Sequence, residues 1–354
     1  MNFVLNGQGH GDVANVLMAN NFDPGALRPV MGSDGRSRIT LNTGKTDKDG
    51  KPLFNTLVTN APASLRKNDW IQLDTAIIKA AQPRLRVVAD LRAAGLQYMI
   101  PNGMGKMSLE HESTSDISDA SISMDGIRQA DADRPQFDLT SLPLPIIHKD
   151  FQFSARQIMA SRNGGSPLDT TMGELAGRKV AEQIEKLALG EVNSYKYGGG
   201  FVYGMKTFPD TLTKSLTAPS TSNQKTTVNE VLGMIKQSQD ANYFGDFMLY
   251  YSPEWSIHMG GDYSDNKGTH TLKSRLAAID GIQDVRQADY LTGTTLMLVQ
   301  MTSDVARMVI GMDITTVQWP SMGGMQLNFK VMAIMVPQLR SDYNNNTGIV
   351  YGSV

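Results

Sequence analysis

Four residues between positions 258 and 270 have the types that a divalent cation needs. His258, Asp262, Asp265 and His270 offer two imidazoles and two carboxylates within thirteen residues, and a loop could fold them around one ion acting as a Lewis acid. The Gly, Asp, Ser and Asn around them are equally the composition of an ordinary loop between two helices, and ligand type without fixed geometry does not define a metal site. Other signatures fail on their own spacing. Gly44-Lys45-Thr46 resembles the end of a phosphate-binding loop, yet Ile39 stands where that loop needs its first Gly, and no buried strand or helix flanks it. Gly7-Gln8-Gly9-His10-Gly11 is not the dinucleotide fingerprint and follows no strand. Asp47-Lys48-Asp49-Gly50 has part of a calcium loop's spacing but lacks the closing acid, and Lys48 brings charge of the wrong sign. The five His are scattered and no Gly-x-Ser-x-Gly elbow exists for a Ser nucleophile. His148, beside Lys149-Asp150, reads as a polar residue at a strand edge. The expectation is a protein that is not an enzyme, with no catalytic residue, no cofactor and no bound metal.

Composition narrows the class further. The chain has 354 residues, with 33 Lys and Arg against 35 Asp and Glu. That near-neutral balance excludes a surface that is one continuous nucleic-acid-binding field. With no Cys, disulfide frameworks, zinc–thiolate sites, iron–sulfur clusters and thiol nucleophiles are all ruled out, which fits a reducing cytoplasm. No window reaches the ~18 consecutive apolar residues of a membrane helix. The start, Met1-Asn2-Phe3-Val4-Leu5-Asn6-Gly7, has neither a basic region nor a long apolar one. A soluble, non-secreted protein is expected, and the Asn345-Asn346-Thr347 sequon then carries no information. The 21 Met, including Met172, Met332 and Met335, are expected as adaptable core filling.

Along the chain, residues 1–62 are rich in Gly, Asn, Asp and Thr and hold no sustained period, which predicts an arm that orders on a partner. Helical periodicity begins at Asn68, the expected N-cap, with Trp70, Leu73, Ile77 and Ala81 on one face and Pro83 as the stop. A second turn carries Leu85, Val88 and Leu91 and ends at Gly95. From 61 to 106, seven Lys and Arg stand against three Asp and Glu, whereas 107–150 holds nine acids and three bases. The Ser-, Asp- and Glu-rich alternation of 107–141 suits a long two-stranded hairpin, which has no core of its own. Ile147, Phe151 and Phe153 predict a strand running into a short helix. A long helix is predicted from Ser166 and Pro167 to Gly190, about 22 residues or ~33 Å, with a stripe of Met172, Leu175, Val180, Ile184 and Leu187. Its Gly173, Gly177 and Ala181 lie four apart, leaving a face of nearly bare backbone that calls for close approach by another segment. After the Gly-, Ser- and Thr-rich 191–225, helices and strands alternate from 226 to 320, the pattern of an α/β unit. Its helices are expected from a Thr227/Glu230 capping box, from Ser252-Pro253-Glu254 and over Leu272–Ile279. Strands are expected at Phe247–Tyr251, near Val285, at Leu296–Gln300 and at Ala306–Gly311. The last, Gln326–Val336, alternates at Leu327, Phe329 and Val331 before turning apolar throughout.

This order of parts resembles the encapsulin-type shell proteins and, more broadly, the Hong Kong 97-type major capsid proteins of tailed bacteriophages. Four passages carry the resemblance. Asn68–Gly95 leading to Leu96-Gln97-Tyr98 looks like the family's first helix and its turn into an extended loop. Gln136-Phe137-Asp138-Leu139 through Leu144-Pro145-Ile146 to Asp150-Phe151 looks like that loop's return strand. Pro167–Gly190 matches the spine helix. Phe247-Met248-Leu249-Tyr250-Tyr251-Ser252-Pro253, His270-Thr271-Leu272, Ile279-Asp280-Gly281-Ile282 and Val309-Ile310-Gly311-Met312-Asp313-Ile314 look like the axial domain. Together they cover about 65–350 of the chain, with no single diagnostic motif.

The resemblance implies an α+β, Hong Kong 97-like capsid fold. Its parts would be an N-terminal arm (1–62), a first helix and lead-in (63–106), an extended loop (107–141), a peripheral domain (142–225) with spine helix 167–189, an axial domain (226–320), and a return strand with C-terminal tail (321–354). It implies a phage major capsid protein that self-assembles through pentamers and hexamers into an icosahedral virion shell enclosing double-stranded DNA, built in the host bacterial cytoplasm. The alternative is an encapsulin nanocompartment enclosing a cargo enzyme, and the long arm favours the virus. Portal, scaffold and decoration proteins are further implied partners, and a membrane is not. Arg128, Asp131, Asp133, Gly173, Gly177 and Ala181 would serve assembly. Arg84, Arg86 and Arg92 would face the lumen and its nucleic acid through non-specific phosphate contacts, unless they make ordinary ion pairs on a solvated face.

Overall fold

A computed structural model describes residues 30–32, 34, 36–46, 52–59, 65, 67–114, 124, 134, 137–163, 169–220, 224–262, 270–342 and 344–354. Within the stretch expected as an arm that orders on a partner, the chain forms a sheet of its own. Strands β1 (Val30–Met31), β2 (Ser37–Thr46) and β3 (Pro52–Thr59) form an antiparallel sheet in which Arg38 pairs with Val58 and Thr40 with Thr56. Thr, Ile, Leu and Val are frequent in both long strands, and mutual pairing satisfies their backbone groups even without a deep core. Gly44-Lys45-Thr46 is the end of β2, not a strand-to-helix turn. Residues 1–29 and 47–50 lie outside the described residues.

Helix α1 (Lys67–Ala81) buries Trp70, Leu73, Ile77 and Ala81, the predicted face. Asn68 is inside it rather than capping it. Pro83 sits in a 3-10 turn (Gln82–Arg84), and α2 (Arg86–Ala93) follows and buries Val87, Val88 and Leu91. Next come β4 (Gln97–Met99), the ladder β5 (Ser108–Thr114) with β6 (Phe137–Pro143), and β7 (Ile147–Ser154) running straight into α3 (Ala155–Asn163).

Helix α4 (Thr171–Leu189) starts later than the sequence suggests. Asp169 is outside it and accepts a hydrogen bond from the Thr171 N–H at 3.0 Å, which with the Thr171 side chain draws the Asp169 pKa down. Ser166 and Pro167 lie outside the described residues. Gly190 closes the helix with φ 88°, a left-handed conformation that glycine adopts without strain. The apolar stripe also needs correction. Met172 and Leu175 are 48% and 42% exposed, whereas Val180, Ile184 and Leu187 of the same stripe are buried together with the small residues.

The small-residue face explains this. A Cβ on Gly173 would stand 2.7 Å from Leu73 Cδ1, and one on Gly177 would stand 2.7 Å from Ile77 Cγ2 and 3.1 Å from the Ile77 carbonyl oxygen. The segment that approaches the bare face is therefore α1 of the same chain. Gly173, Gly177 and Ala181 are buried within the subunit, which corrects their placement among contacts between subunits.

Beyond the hairpin β8 (Tyr195–Tyr197)/β9 (Gly200–Val202), strand β10 (Leu212–Ser215) leads to α5 (Gln224–Asp240). This helix starts before Thr227, so the expected capping box does not form. Thr227 is buried inside the helix, and Glu230 accepts from the Thr217 N–H at 2.9 Å. Then follow β11 (Phe247–Tyr251), a 3-10 turn (Pro253–Trp255), α6 (Ser256–Gly260), α7 (Leu272–Ala277), β12 (Ile282–Gln287) and β13 (Thr295–Gln300). The chain finishes with β14 (Ala306–Ser321), β15 (Gln326–Leu339) and β16 (Ile349–Ser353).

Two sheets carry the cores. One has the order β10-β16-β13-β11-β12, and the other β4-β14-β15-β7. The first draws β10 and β16 from outside 226–320, while β14, expected as a shorter strand of the α/β unit, runs on to Ser321 because it pairs with β15 along its length. Strand β11 is apolar throughout because both faces are covered. Phe247, Leu249 and Tyr251 pack with Val231, Met234, Trp255 and Leu276. Met248 and Tyr250 point the other way, into a larger core with Leu73, Ile184 and Phe329. Strand β15 shows the predicted switch, with Leu327, Phe329 and Val331 buried alternately and then every residue buried from Val331 onward. Met332 and Met335 fill this core as expected.

The α1–α4 contact yields a direct test. Replacing Gly177→Leu forces a side chain into Ile77 and its carbonyl, and thermal or urea unfolding should show a loss of about 1–3 kcal/mol. The control substitution Leu175→Met, at an exposed position of the same helix, should leave the midpoint unmoved.

Candidate assembly surfaces

The β5/β6 ladder pairs seven residues, from Ser108↔Pro143 at its root to Thr114↔Phe137. Its root is anchored, since Leu142 and Leu144 are buried with Val309, Ile334 and Val336. Leu139, further out, is exposed. A two-stranded ladder cannot bury both faces alone. Arg128, Asp131 and Asp133, expected in assembly contacts, lie beyond this ladder and outside the described residues.

Beside the root, Met107, Ile146, Tyr195 and Tyr197 are all exposed around a cleft of about 250 Å³. The Tyr197 hydroxyl donates to Met107 Sδ at 3.3 Å. Exposed apolar side chains grouped in this way make the cleft a candidate contact surface.

The three arginines expected in the lumen are engaged within the chain. Arg86 pairs with Asp289 at 3.2 Å and donates to the Gln287 carbonyl at 3.1 Å. Arg92 pairs with Asp313 and touches Met335 Sδ at 3.7 Å. Arg84 is half-buried next to Tyr290, whose pKa is raised by burial and by Glu182 while Arg84 opposes the shift. Arg86 and Arg92 thus each stand beside a carboxylate of the same subunit. His148 is exposed on β7, the edge of its sheet, 3.7 Å from Asp150. Among the described residues no three His, Asp or Glu gather to hold a metal ion. His258 and Asp262 flank a loop whose Asp265 lies outside the described residues.

A cluster that sequence reasoning missed joins the two sheets. Glu185 of α4 is 1% exposed and accepts from the Val87 N–H at 2.7 Å and the Val88 N–H at 3.4 Å. It thereby caps α2, whose own N-cap residue, Leu85, provides no side-chain bond. Asp90, on the same helix, accepts from the Tyr250 hydroxyl at 3.0 Å and pairs with Arg286, which also holds Asp284 at 2.8 Å. Burial raises the Asp90 pKa, against the pull of Tyr250 and Arg286. Burial also raises Glu185 to about 7, against its two backbone donors and with the Asp90 charge adding to the rise. The signal was present in the spacing, since Glu185 continues the four-residue series of Gly173, Gly177 and Ala181 and must fall on the same buried face.

With this geometry, comparison with known proteins is informative. The model of a family of unknown function, DUF6260, matches residues 60–352. The chain belongs to that family. No curated protein sequence matches this DUF6260 chain. In three dimensions it is similar to the virus-like particle protein of Pyrococcus furiosus, at 16% identity and TM-score 0.57, covering 80% of this chain and 98% of that one. It is similar to the capsid of Myoviridae phage XM1, at 8% identity and TM-score 0.54, covering 70% and 85%. A chain of Mycobacterium phage Bobi matches at 11% identity and TM-score 0.55, covering 74% and 89%. The fold is the Hong Kong 97-type capsid fold, an α+β architecture, as the sequence resemblance implies.

Glu185 gives the junction a pH signature. Its folded pKa of about 7 lies above the ordinary value of 4.5, so the folded state binds a proton that the unfolded state releases. The contribution is fully present below pH 4.5 and is lost as pH rises towards 7. Over that interval Glu185→Gln, which stays neutral, should gain on the wild type by about 3 kcal/mol, the pKa difference converted to free energy. Paired urea titrations at pH 4.5 and 7.5 measure this, and a constant difference between the two proteins would refute it.

Proposed function

We propose that this protein is the major capsid protein of a tailed bacteriophage, self-assembling into an icosahedral shell around double-stranded DNA. The observation that carries the reading is the fold itself, shared over 70–80% of the chain with shell-forming proteins. The surfaces support it. A ladder with an exposed apolar flank and a cleft ringed by exposed Met and Tyr are costly on a lone subunit and suited to burial by neighbours. The work of such a protein is association rather than catalysis, with many modest interfaces repeated by symmetry. Its place is the virion, with assembly in the host cytoplasm and with portal, scaffold or decoration proteins as partners. No helix among the described residues is long and apolar enough to cross a membrane. Arg84, Arg86 and Arg92, already engaged within the subunit, leave packaged DNA to be met by weak, non-specific contacts.

Negative-stain microscopy with light scattering on the purified full chain tests the reading, alongside a nuclease-protection assay on particles from the native source. Closed shells and protected double-stranded DNA are expected. Shells that protect a protein cargo and no DNA would select the nanocompartment, and a stable monomer at every concentration would reject both.

A further inference from the structure

The chain has no Cys and 21 Met, so its sulfur chemistry is that of thioethers. Met107 stands apart among them. It is 70% exposed, just before the β5/β6 ladder, and lines the cleft with Ile146, Tyr195 and Tyr197. The Tyr197 hydroxyl donates to its sulfur at 3.3 Å. Met335 also accepts a side-chain hydrogen bond, from Arg92 at 3.7 Å, but it is buried. Among the described residues, Met107 therefore alone combines an accessible sulfur with a hydrogen-bond donor on it.

Both partners are held by their backbones. The Met107 carbonyl accepts from the Leu144 N–H at 2.8 Å, and Tyr197 pairs with Gly200 across the β8/β9 hairpin. A thioether sulfur is a weak acceptor with two lone pairs. On a freely turning methionine, an oxidant reaches both pairs about equally and leaves a near-even mixture of the two sulfoxide epimers. At Met107 the Tyr197 O–H engages one pair, and the other remains open to attack.

We propose that Met107 is a site of reversible oxidation by hydroperoxides, at which Tyr197 decides which sulfoxide epimer forms. The open lone pair attacks one peroxide oxygen, and the S–O bond forms as the O–O bond breaks. The proton carried by the transferred oxygen ends on the released hydroxide, which leaves as water. Sulfur is oxidised by two electrons and the peroxide is reduced by the same two. The product places a strong S–O dipole where the thioether was apolar. Oxidation thus turns this wall of the cleft polar, and enzymatic reduction restores it. The site belongs to the single subunit and is independent of whether shells form.

The test uses the purified full chain as free subunits, treated briefly with hydrogen peroxide and then digested. Portions of the digest are incubated with methionine sulfoxide reductase A or B, each of which reduces one epimer. Tandem mass spectrometry then reads the sulfoxide left at each position. At Met107 one reductase should remove roughly three times as much sulfoxide as the other, a selectivity that one hydrogen bond of ordinary net strength supports. Met322, 76% exposed and without a donor among the described residues, should give near-equal fractions. Tyr197→Phe, which removes only the hydroxyl, should bring Met107 to the same even mixture. Near-equal epimers at wild-type Met107 overturn the proposal, as does a bias that Tyr197→Phe leaves in place. So does a Met107 that stays unoxidised while Met322 reacts. Where Tyr197→Phe does not fold, the comparison of Met107 with Met322 in the wild type decides.

Discussion

Helices α1 and α4 meet where one of them has almost no side chains, and the position of both sheets follows from that approach. With Gly173 and Gly177 against Leu73 and Ile77, the backbones come closer than helices bearing larger residues permit. Trp70 can then reach Phe329 edge-on at 6.0 Å, and Phe329 stacks on Phe151 at 5.2 Å. The β7 and β15 strands are thereby held beneath the helix pair. A glycine in a helix interior costs about 1 kcal/mol against alanine, so the contact is maintained by the packing it allows rather than by helix propensity.

The same bare face ends in a carboxylate, and that is where the second sheet is attached. Glu185 holds the start of α2, and Asp90 in that helix holds Tyr250 and Arg286 of the other sheet. Nonpolar burial alone would let the two sheets slide. Directional bonds to buried acids fix one arrangement, because any displacement would leave a desolvated carboxyl without partners.

How much of this was legible in the sequence depended on whether a signal was local. Periodicity located α1 and all of β11, and it caught the point in β15 where one-sided burial becomes two-sided. Caps were poorly legible. Asn68 and Thr227 look like helix starts, but the helices begin earlier, the second of them at Gln224, which is itself buried. Met172 and Leu175 look like core and are exposed, since the first turns of the helix lie on Gly173 and Gly177, while Val180, Ile184 and Leu187 further along are buried. The hairpin at 37–59 has no long-range apolar pattern to announce it.

Strand β16 lies between β10 and β13, in the interior of its sheet. Leu212 meets Val350, and Leu298 meets the same residue from the other side. A nascent chain that has not yet reached residue 349 therefore has β10 with no neighbour and β13 with one edge open, so the sheet can close only after some 130 intervening residues have been made. Non-local closure of this kind is slow and leaves strand edges exposed until the last step. Until residues 349–353 have been made this sheet stays open, so the order of translation sets the order in which its strands can pair.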